Sequence, residues 1–454
     1  MKSLLSLFLI LIQVFSSFSQ ESDQFDSLLI NKFKDQVLPG YSVLIGNYDS
    51  IIYETQYGYA DLKNKTKITS NTKFRIASIT KQFTAIAILK LVEAGKLELT
   101  TPAQNYVDFL PKKITIAHLL WHTSGLISYF NDDDIADSCY TRHYTSKELV
   151  DLLNGKKTIS KPDINFHYSN SGYHILGYII EQISGQTYSE FLTSEIFKPL
   201  NMFDTECENA ISNIKNLGIG YEYSDSILTI PDYYTMDWPY SAGNIVSTPT
   251  DLLKWNNALF QGKVISDSLL EVAHTAHILK KVGSTHYGFG WEIRQVQNEK
   301  TIRHSGYLEG YLSTLIFFPK HNITVVVLNN CSNYSTELFA TKLGALVIGK
   351  PINDPKQFSL SPIKLQEFEN NYDFDGSVIS YVIINGELCF YLDYDKSDLH
   401  PMYPIGENIF YSTEFGCTVT FNKKNNSMTL KIGQKETTGK ILKNSFDLKS
   451  LLKN

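Results

Sequence analysis

Ser78 and Lys81 stand three residues apart in Phe74-Arg75-Ile76-Ala77-Ser78-Ile79-Thr80-Lys81, at the start of a long apolar run. On a helix a residue and its third successor share a face, so the Lys81 amine can reach the Ser78 hydroxyl and take its proton as that oxygen attacks a carbonyl. A helix-start serine next to a solvated lysine would look the same over these residues alone. The segment that follows weighs for chemistry. Ala85 to Val92 reads AIAILKLV, apolar almost all round, as in a helix buried inside a domain, and Gly95 is a natural stop. A lysine in the first turn of such a helix is desolvated, which disfavours its charged form and lets it accept a proton near neutrality.

Two further constellations follow along the chain. Phe166-His167-Tyr168-Ser169-Asn170-Ser171-Gly172 carries a Tyr-x-Asn just before a stretch in which Ile175, Leu176, Ile179, Ile180 and Ile183 recur at helical spacing until Gly185. Arg303-His304-Ser305-Gly306 lies among strand-like segments, after Trp291 to Arg294 and before Ser313 to Phe318 and Thr324 to Leu328.

Ser-x-x-Lys, Tyr-x-Asn and a cation-Ser/Thr-Gly strand, in that order, form the signature of the penicillin-recognising serine hydrolases. The chain resembles the class C β-lactamase and D-alanyl-D-alanine carboxypeptidase family, whose relatives include esterases and D-aminopeptidases. Other segments agree: Pro39 to Ile45 with the family's opening strand, Leu119 to Leu126 with its HTSG turn, Pro199-Leu200-Asn201-Met202 with its proline-leucine-glycine-methionine corner, and Ser241 to Leu252 and Tyr287 to Trp291 with later motifs. The resemblance runs from about Val37 to Asn330. It implies that Ser78 is acylated with Lys81 as proton acceptor, that Tyr168 shuttles that proton to the leaving group, and that Asn170 orients the substrate amide. It also implies an oxyanion hole from the backbone N–H groups of Ser78 and Tyr307, with Gly306 allowing close approach and His304 and Ser305 beside the substrate.

His304 departs from the lysine found at this place in most class C β-lactamases, although histidine occurs there in some carboxypeptidases and esterase-like relatives. An imidazole of ordinary pKa is mostly neutral at pH 7, so the departure weighs more against β-lactam hydrolysis than against hydrolysis in general. The plain alternative for His304 is a strand histidine bonded to backbone. There is no Gly-x-Ser-x-Gly elbow for an α/β-hydrolase. His118 and His122 stand four apart, but Leu119 occupies the place where a zinc peptidase needs its glutamate, so no metal and no cofactor is expected. Glu195 with Leu200-Asn201 is spaced too far for the deacylating loop of class A β-lactamases. Tyr129, Phe130 and Tyr307 fall near the expected cleft, although packing is the plainer reading of each.

Met1-Lys2, the apolar Leu4 to Ile12 and the small residues at Ser17 to Ser19 have the form of a signal peptide over residues 1–19. Export to the periplasm or the medium is the expectation, with no lipoprotein anchor. The five cysteines, Cys139, Cys207, Cys331, Cys389 and Cys417, lack metal spacing, and an odd count in an exported protein leaves at least one thiol free. The net charge of −6 is scattered and forms no polybasic strip, which argues against nucleic acid as a partner. Pro351, Pro355 and Pro362 mark a linker over 351–362, after a catalytic domain at 20–350. Beyond it, Tyr381 to Tyr391 reads as an Asn-Gly hairpin, and Val419, Phe421, Met428, Leu430 and Ile432 alternate around a polar turn.

The expected fold is therefore α+β. An antiparallel sheet of the β-lactamase and penicillin-binding transpeptidase kind is flanked by helices, with a helical subdomain roughly from Phe83 to Leu217 and a C-terminal antiparallel β-barrel-like domain at 363–454. The expected substrate is a small molecule or short peptide, with D-alanyl peptides of cell wall or β-lactams leading. An esterase or D-aminopeptidase with the same site, or a slow-turnover penicillin-binding sensor, are the alternatives.

Overall fold

The computed structural model describes Phe25 and residues 37–442, apart from 130–141, 210–212, 225–226, 232–234, 333–334, 353–354, 375–376, 385, 393–399, 413–416 and 433–434. The expected signal peptide, Phe130 and Cys139 lie outside the described residues. The chain divides into two compact units after Pro351.

The first unit is built on a six-stranded antiparallel sheet of β1 (Tyr41–Gly46), β2 (Ile51–Tyr57), β3 (Glu292–Val296), β4 (Glu299–Leu308), β5 (Tyr311–Phe318) and β6 (Ile323–Asn329). Their spatial order is β3-β4-β5-β6-β1-β2, so the first strand of the unit pairs with the last. Every residue of β1 and β6 is buried, which fits their largely apolar sequences, with Ser42, Thr324 and Asn329 as the polar members: both faces of the sheet are covered. Successive residues of β6 show what covers each face. Thr324 accepts a hydrogen bond from Asn256 of one helix (Pro249–Phe260), while Val325 lies against Gly344 of another (Thr336–Val347). A Cβ on Gly344 would sit 2.4 Å from the Phe318 ring, so a small residue is required where this second helix meets the sheet.

Between β2 and β3 the chain forms the helical part. Helix α1 (Thr80–Glu93) is buried at eleven of its positions and carries Lys81 in its first turn. It ends as its sequence anticipates: Gly95 takes φ +67°, with Gly95 N–H donating to Val92 and Lys96 N–H to Leu91, a Schellman closure. Helix α2 (Asn170–Ser184) stops at left-handed Gly185 and packs on α1. Helices α3 (Tyr240–Gly243), α4 (Pro249–Phe260) and α5 (Thr336–Val347) also belong to the unit, beside shorter helices such as Ile116–Leu120 and Tyr188–Leu192. Asn201, where the family's corner has glycine, adopts φ +54°, a conformation asparagine tolerates better than most side chains.

The second unit is a closed antiparallel barrel of eight strands, β7 (Asn371–Phe374), β8 (Ser377–Ile384), β9 (Glu387–Leu392), β10 (His400–Gly406), β11 (Ile409–Ser412), β12 (Cys417–Asn422), β13 (Ser427–Ile432) and β14 (Lys435–Ile441). Both expected hairpins are present: Ile384 pairs with Glu387 across Gly386 at φ +84°, and Asn422 pairs with Ser427. Alternate residues, among them Tyr381, Leu388, Phe390, Val419, Phe421 and Met428, fill the interior, with Phe368 and Leu365 packed on them. Cys207, Cys331, Cys389 and Cys417 are buried.

Candidate active site

Ser78 lies in a one-turn 3-10 helix (Ala77–Ile79) that leads directly into α1. Ala77 is held at φ +47°, a conformation costly for a residue with a side chain, so surrounding contacts must fix the turn. Two are visible. Ile76 N–H donates to the Ile245 carbonyl, and the Ser313 hydroxyl on β5 donates to the Ile76 carbonyl at 2.7 Å.

Lys81 Nζ lies 2.9 Å from Ser78 Oγ and donates to the Ala242 carbonyl oxygen of α3, also at 2.9 Å. The side chain has no exposure, and among the described residues no carboxylate pairs with it. Burial without a counter-charge holds its pKa well below the ordinary lysine range. A neutral amine at this distance from a hydroxyl can take its proton.

Tyr168 stands over this pair. Its ring centroid is 4.8 Å from Lys81 Nζ, and the Ser78 side chain partly offsets the rise that burial gives the phenol's pKa. The side chain as a whole is 39% exposed, yet its pKa is raised by desolvation. The two facts fit a ring open to the cleft along one side with its oxygen turned inward. Asn170 opens α2, half-buried, two residues on.

Behind Tyr168 a packed wall sets its position. The His122 ring lies 4.2 Å from Tyr168, 5.0 Å from Tyr173 and 4.8 Å from Tyr287, centroid to centroid. His122 adopts φ +58°, and its Nδ1 accepts from the Ser169 N–H at 3.0 Å, pinning the backbone next to Tyr168. Burial, with Lys81 and His304 nearby, keeps this imidazole neutral well below the usual histidine range. His118 Nδ1 is engaged by Thr115 at the helix start, so the two histidines serve local backbone. Among the described residues no group of three His, Cys, Asp or Glu is placed to hold a metal.

The third constellation falls on β4, whose alternation sorts its members. His304 and Gly306 face the Ser78 turn; Arg303, Ser305 and Tyr307 face α5. A Cβ on Gly306 would sit 2.4 Å from the Ile76 carbonyl oxygen and 2.9 Å from Ala77 Cβ, so only glycine lets the strand approach the turn. Strand β3 pairs with β4 only as far as Arg303, so among the described strands none lies beside this edge of β4 from His304 onward. The two-residue turn between Val296 and Glu299 makes those residues a hydrogen-bonded pair, and alternation then aims the backbone of Thr301, Arg303, Ser305 and Tyr307 at this side. The Tyr307 N–H therefore points into the open edge, where an oxyanion-hole donor is needed.

His304 differs from a carboxylate-binding cation. It is 3% exposed; its Nδ1 lies 2.6 Å from the Ser305 carbonyl oxygen and its Nε2 is 2.9 Å from the Tyr287 hydroxyl. Nδ1 must carry the proton to bond a carbonyl, so Nε2 accepts from Tyr287 and both nitrogens are used. Burial is the main cause that pulls its pKa down to about 4, with Glu292 opposing. The ring is neutral, as an ordinary imidazole is at pH 7, and its two nitrogens support Ser305 and Tyr287. Of the aromatic candidates, Tyr129 is fully buried core and Tyr307 is 58% exposed.

Reasoning on the sequence missed Tyr173 and Glu337 altogether, and read His122, Ala242 and Tyr287 only as parts of matched motifs. Their place in those motifs was the available signal.

A family model described as Beta-lactamase matches residues 25–347. The chain belongs to the beta-lactamase family. Penicillin-binding protein 4* of Bacillus subtilis (strain 168) is 30% identical over 335 residues, covering 70% of this chain and 74% of that protein. The octameric penicillin-binding protein homologue from Pyrococcus abyssi superposes with a TM-score of 0.67 at 25% identity, covering 92% of this chain and 99% of its own. The first 351 residues alone could not supply that share, so the likeness extends into the barrel. D-amino acid amidase from Ochrobactrum anthropi SV3, complexed with L-phenylalanine, gives a TM-score of 0.60 at 25% identity over 68% of this chain and 92% of its own. The protein is thus a serine hydrolase of the β-lactamase and penicillin-binding family.

Proposed function

We propose that this hydrolase cleaves small amides or esters through an acyl-enzyme on Ser78. Lys81 takes the Ser78 proton as the hydroxyl oxygen adds to the substrate carbonyl. The N–H groups of Ser78 and Tyr307 hold the oxyanion, and Tyr168 passes the proton to the leaving amine or alcohol, which departs as the acyl ester forms. Water then cleaves that ester and restores Ser78. The observation that carries the reading is the buried, uncompensated Lys81 amine 2.9 Å from Ser78 Oγ. D-Alanyl peptides of cell wall remain the leading substrates on the likeness to penicillin-binding proteins. The neutral, fully engaged His304 favours a second reading, esters or amino-acid amides that lack a carboxylate, as the name of the Ochrobactrum relative suggests for that protein.

Export belongs to the same proposal, on the strength of the Met1 to Ser19 pattern. N-terminal sequencing of the protein from the expressing cell would show cleavage after Ser19, and an intact Met1 would refute it.

The decisive test is intact-mass spectrometry after a fluorescent penicillin or a fluorophosphonate, on the native chain and on Ser78→Ala. One adduct on the native chain and none on the variant is expected. An adduct that persists in Ser78→Ala removes Ser78 as nucleophile. Turnover of 4-nitrophenyl acetate beyond one equivalent separates an enzyme from a sensor.

A further inference from the structure

Ser305 lies on β4 just beyond Arg303, the last residue that β3 pairs with, and two residues before Tyr307, so its hydroxyl has one proton to offer a substrate lying along that edge. Here that proton is already committed. Ser305 Oγ donates to Glu337 Oε2 at 3.0 Å, and the other carboxylate oxygen of Glu337 is 2.6 Å from Arg303 Nη2. A carboxylate paired with a guanidinium is ionised and can only accept, and a serine hydroxyl has one proton to give. Towards any further neighbour the Ser305 oxygen is therefore an acceptor. Thr314 Oγ1, 3.3 Å away, is a hydroxyl and can donate to it, so it does not release the Ser305 proton.

The fold fixes this polarity. Ser305 pairs with Thr314 on the sheet face covered by α5, and Glu337 occupies the first turn of that helix, capped by Ser335. Ser305 is half-buried at the point where the β4 edge becomes free, and its backbone carbonyl is taken by His304 Nδ1. The cations that could offset Glu337 are themselves paired: Arg303 lies between Glu337 and Glu292, and Arg294 lies 3.2 Å from Glu292. No free positive charge is left at this end of the cleft among the described side chains of Glu292, Arg294, Arg303, His304, Ser305 and Glu337.

We infer that Glu337, acting through Ser305, sets this subsite to accept hydrogen bonds, so that it takes a substrate ending in a carboxamide or ammonium group and discriminates against a free carboxylate. Glu337 is a positioning residue here, and the inference rests on the acyl-enzyme reading above for the location of the cleft. It deepens the second of the two substrate readings, esters or amides that lack a carboxylate, and counts against peptides with a free C-terminal carboxylate.

Calorimetric titration of the Ser78→Ala protein, which cannot turn over, tests it with N-acetyl-D-Ala-D-Ala and its C-terminal carboxamide. The carboxamide should bind at least about tenfold more tightly, the worth of one hydrogen bond to a charged or polarised acceptor. In Ser78→Ala/Glu337→Gln the side-chain amide can donate to Ser305 and release its proton outward, so the preference should collapse towards unity or invert. If that variant does not fold, Ser78→Ala/Ser305→Ala should show the same loss of preference. Equal affinities before the second substitution, tighter binding of the free acid, no binding of either peptide, or an unchanged preference after it would each overturn the inference. Hydrolysis of 4-nitrophenyl acetate by the native chain, absent in Ser78→Ala, reports separately on the acyl-enzyme reading.

Discussion

Gly306 and Ile76 approach so closely that a methyl group on the Gly306 Cα would lie 2.4 Å from the Ile76 carbonyl oxygen. That contact joins the strand bearing the open edge to the turn bearing Ser78. Both oxyanion donors depend on it. Gly306→Ala should push strand and turn apart, at a cost of about 1–3 kcal/mol for overpacking, and lower kcat/KM for a small ester about a hundredfold through misplacement. Thermal melts and steady-state kinetics check the two effects. A variant as active as the native chain would mean that the strand does not serve the site.

Lys81 and Tyr168 face the same hydroxyl, so their loss should not multiply. Lys81→Ala and Tyr168→Phe are each expected to reduce kcat by about two or more orders of magnitude, and the double variant by much less than the product. Lys81→Arg should fail as badly as Lys81→Ala, because a guanidinium remains protonated. Single losses that simply multiply would give Tyr168 an independent role in positioning substrate.

These residues were legible because each motif is local: three residues along a helix turn, a pair at the start of α2, a tetrapeptide on one strand. Periodicity also delivered α1, α2 and the barrel hairpins. Sequence order could not reveal which side chain meets which across the fold. The carbonyl that accepts from Lys81 belongs to Ala242, and the acceptor of the Ser305 proton to Glu337. Nor does a strand pattern say that both His304 nitrogens are occupied, since one partner is the following carbonyl and the other is Tyr287.

Each unit has its own buried core, the first reaching Ala345 in α5 and the second starting at Leu365. A chain ending at Pro351 keeps every residue of the site and the Lys350–Glu299 ion pair. It should fold and hydrolyse 4-nitrophenyl acetate at a rate within a few-fold of the full protein, since a unit with its own core folds alone. Circular dichroism and ester kinetics are the measurements. A folded but inactive fragment would show that the barrel contributes to catalysis.

Buried neutral histidines should make the protein labile to acid. Burial holds His304 at about 4 and both His174 and His274 at about 3, whereas an unfolded chain has them near 6.5. Below pH 6.5 the unfolded state binds more protons than the folded one, so stability present above that pH is lost progressively as the pH falls towards 4 and beyond. The slope should be steep because three groups act together. Replacing His304 with Gln keeps a donor and an acceptor but cannot be protonated, so the variant should lose less stability between pH 7 and 4 even if it is less stable at pH 7. Urea midpoints measured across that interval decide the matter. If the native chain and His304→Gln lose stability in parallel, His304 takes up its proton as readily in the folded protein as in the unfolded one, and burial does not hold it neutral.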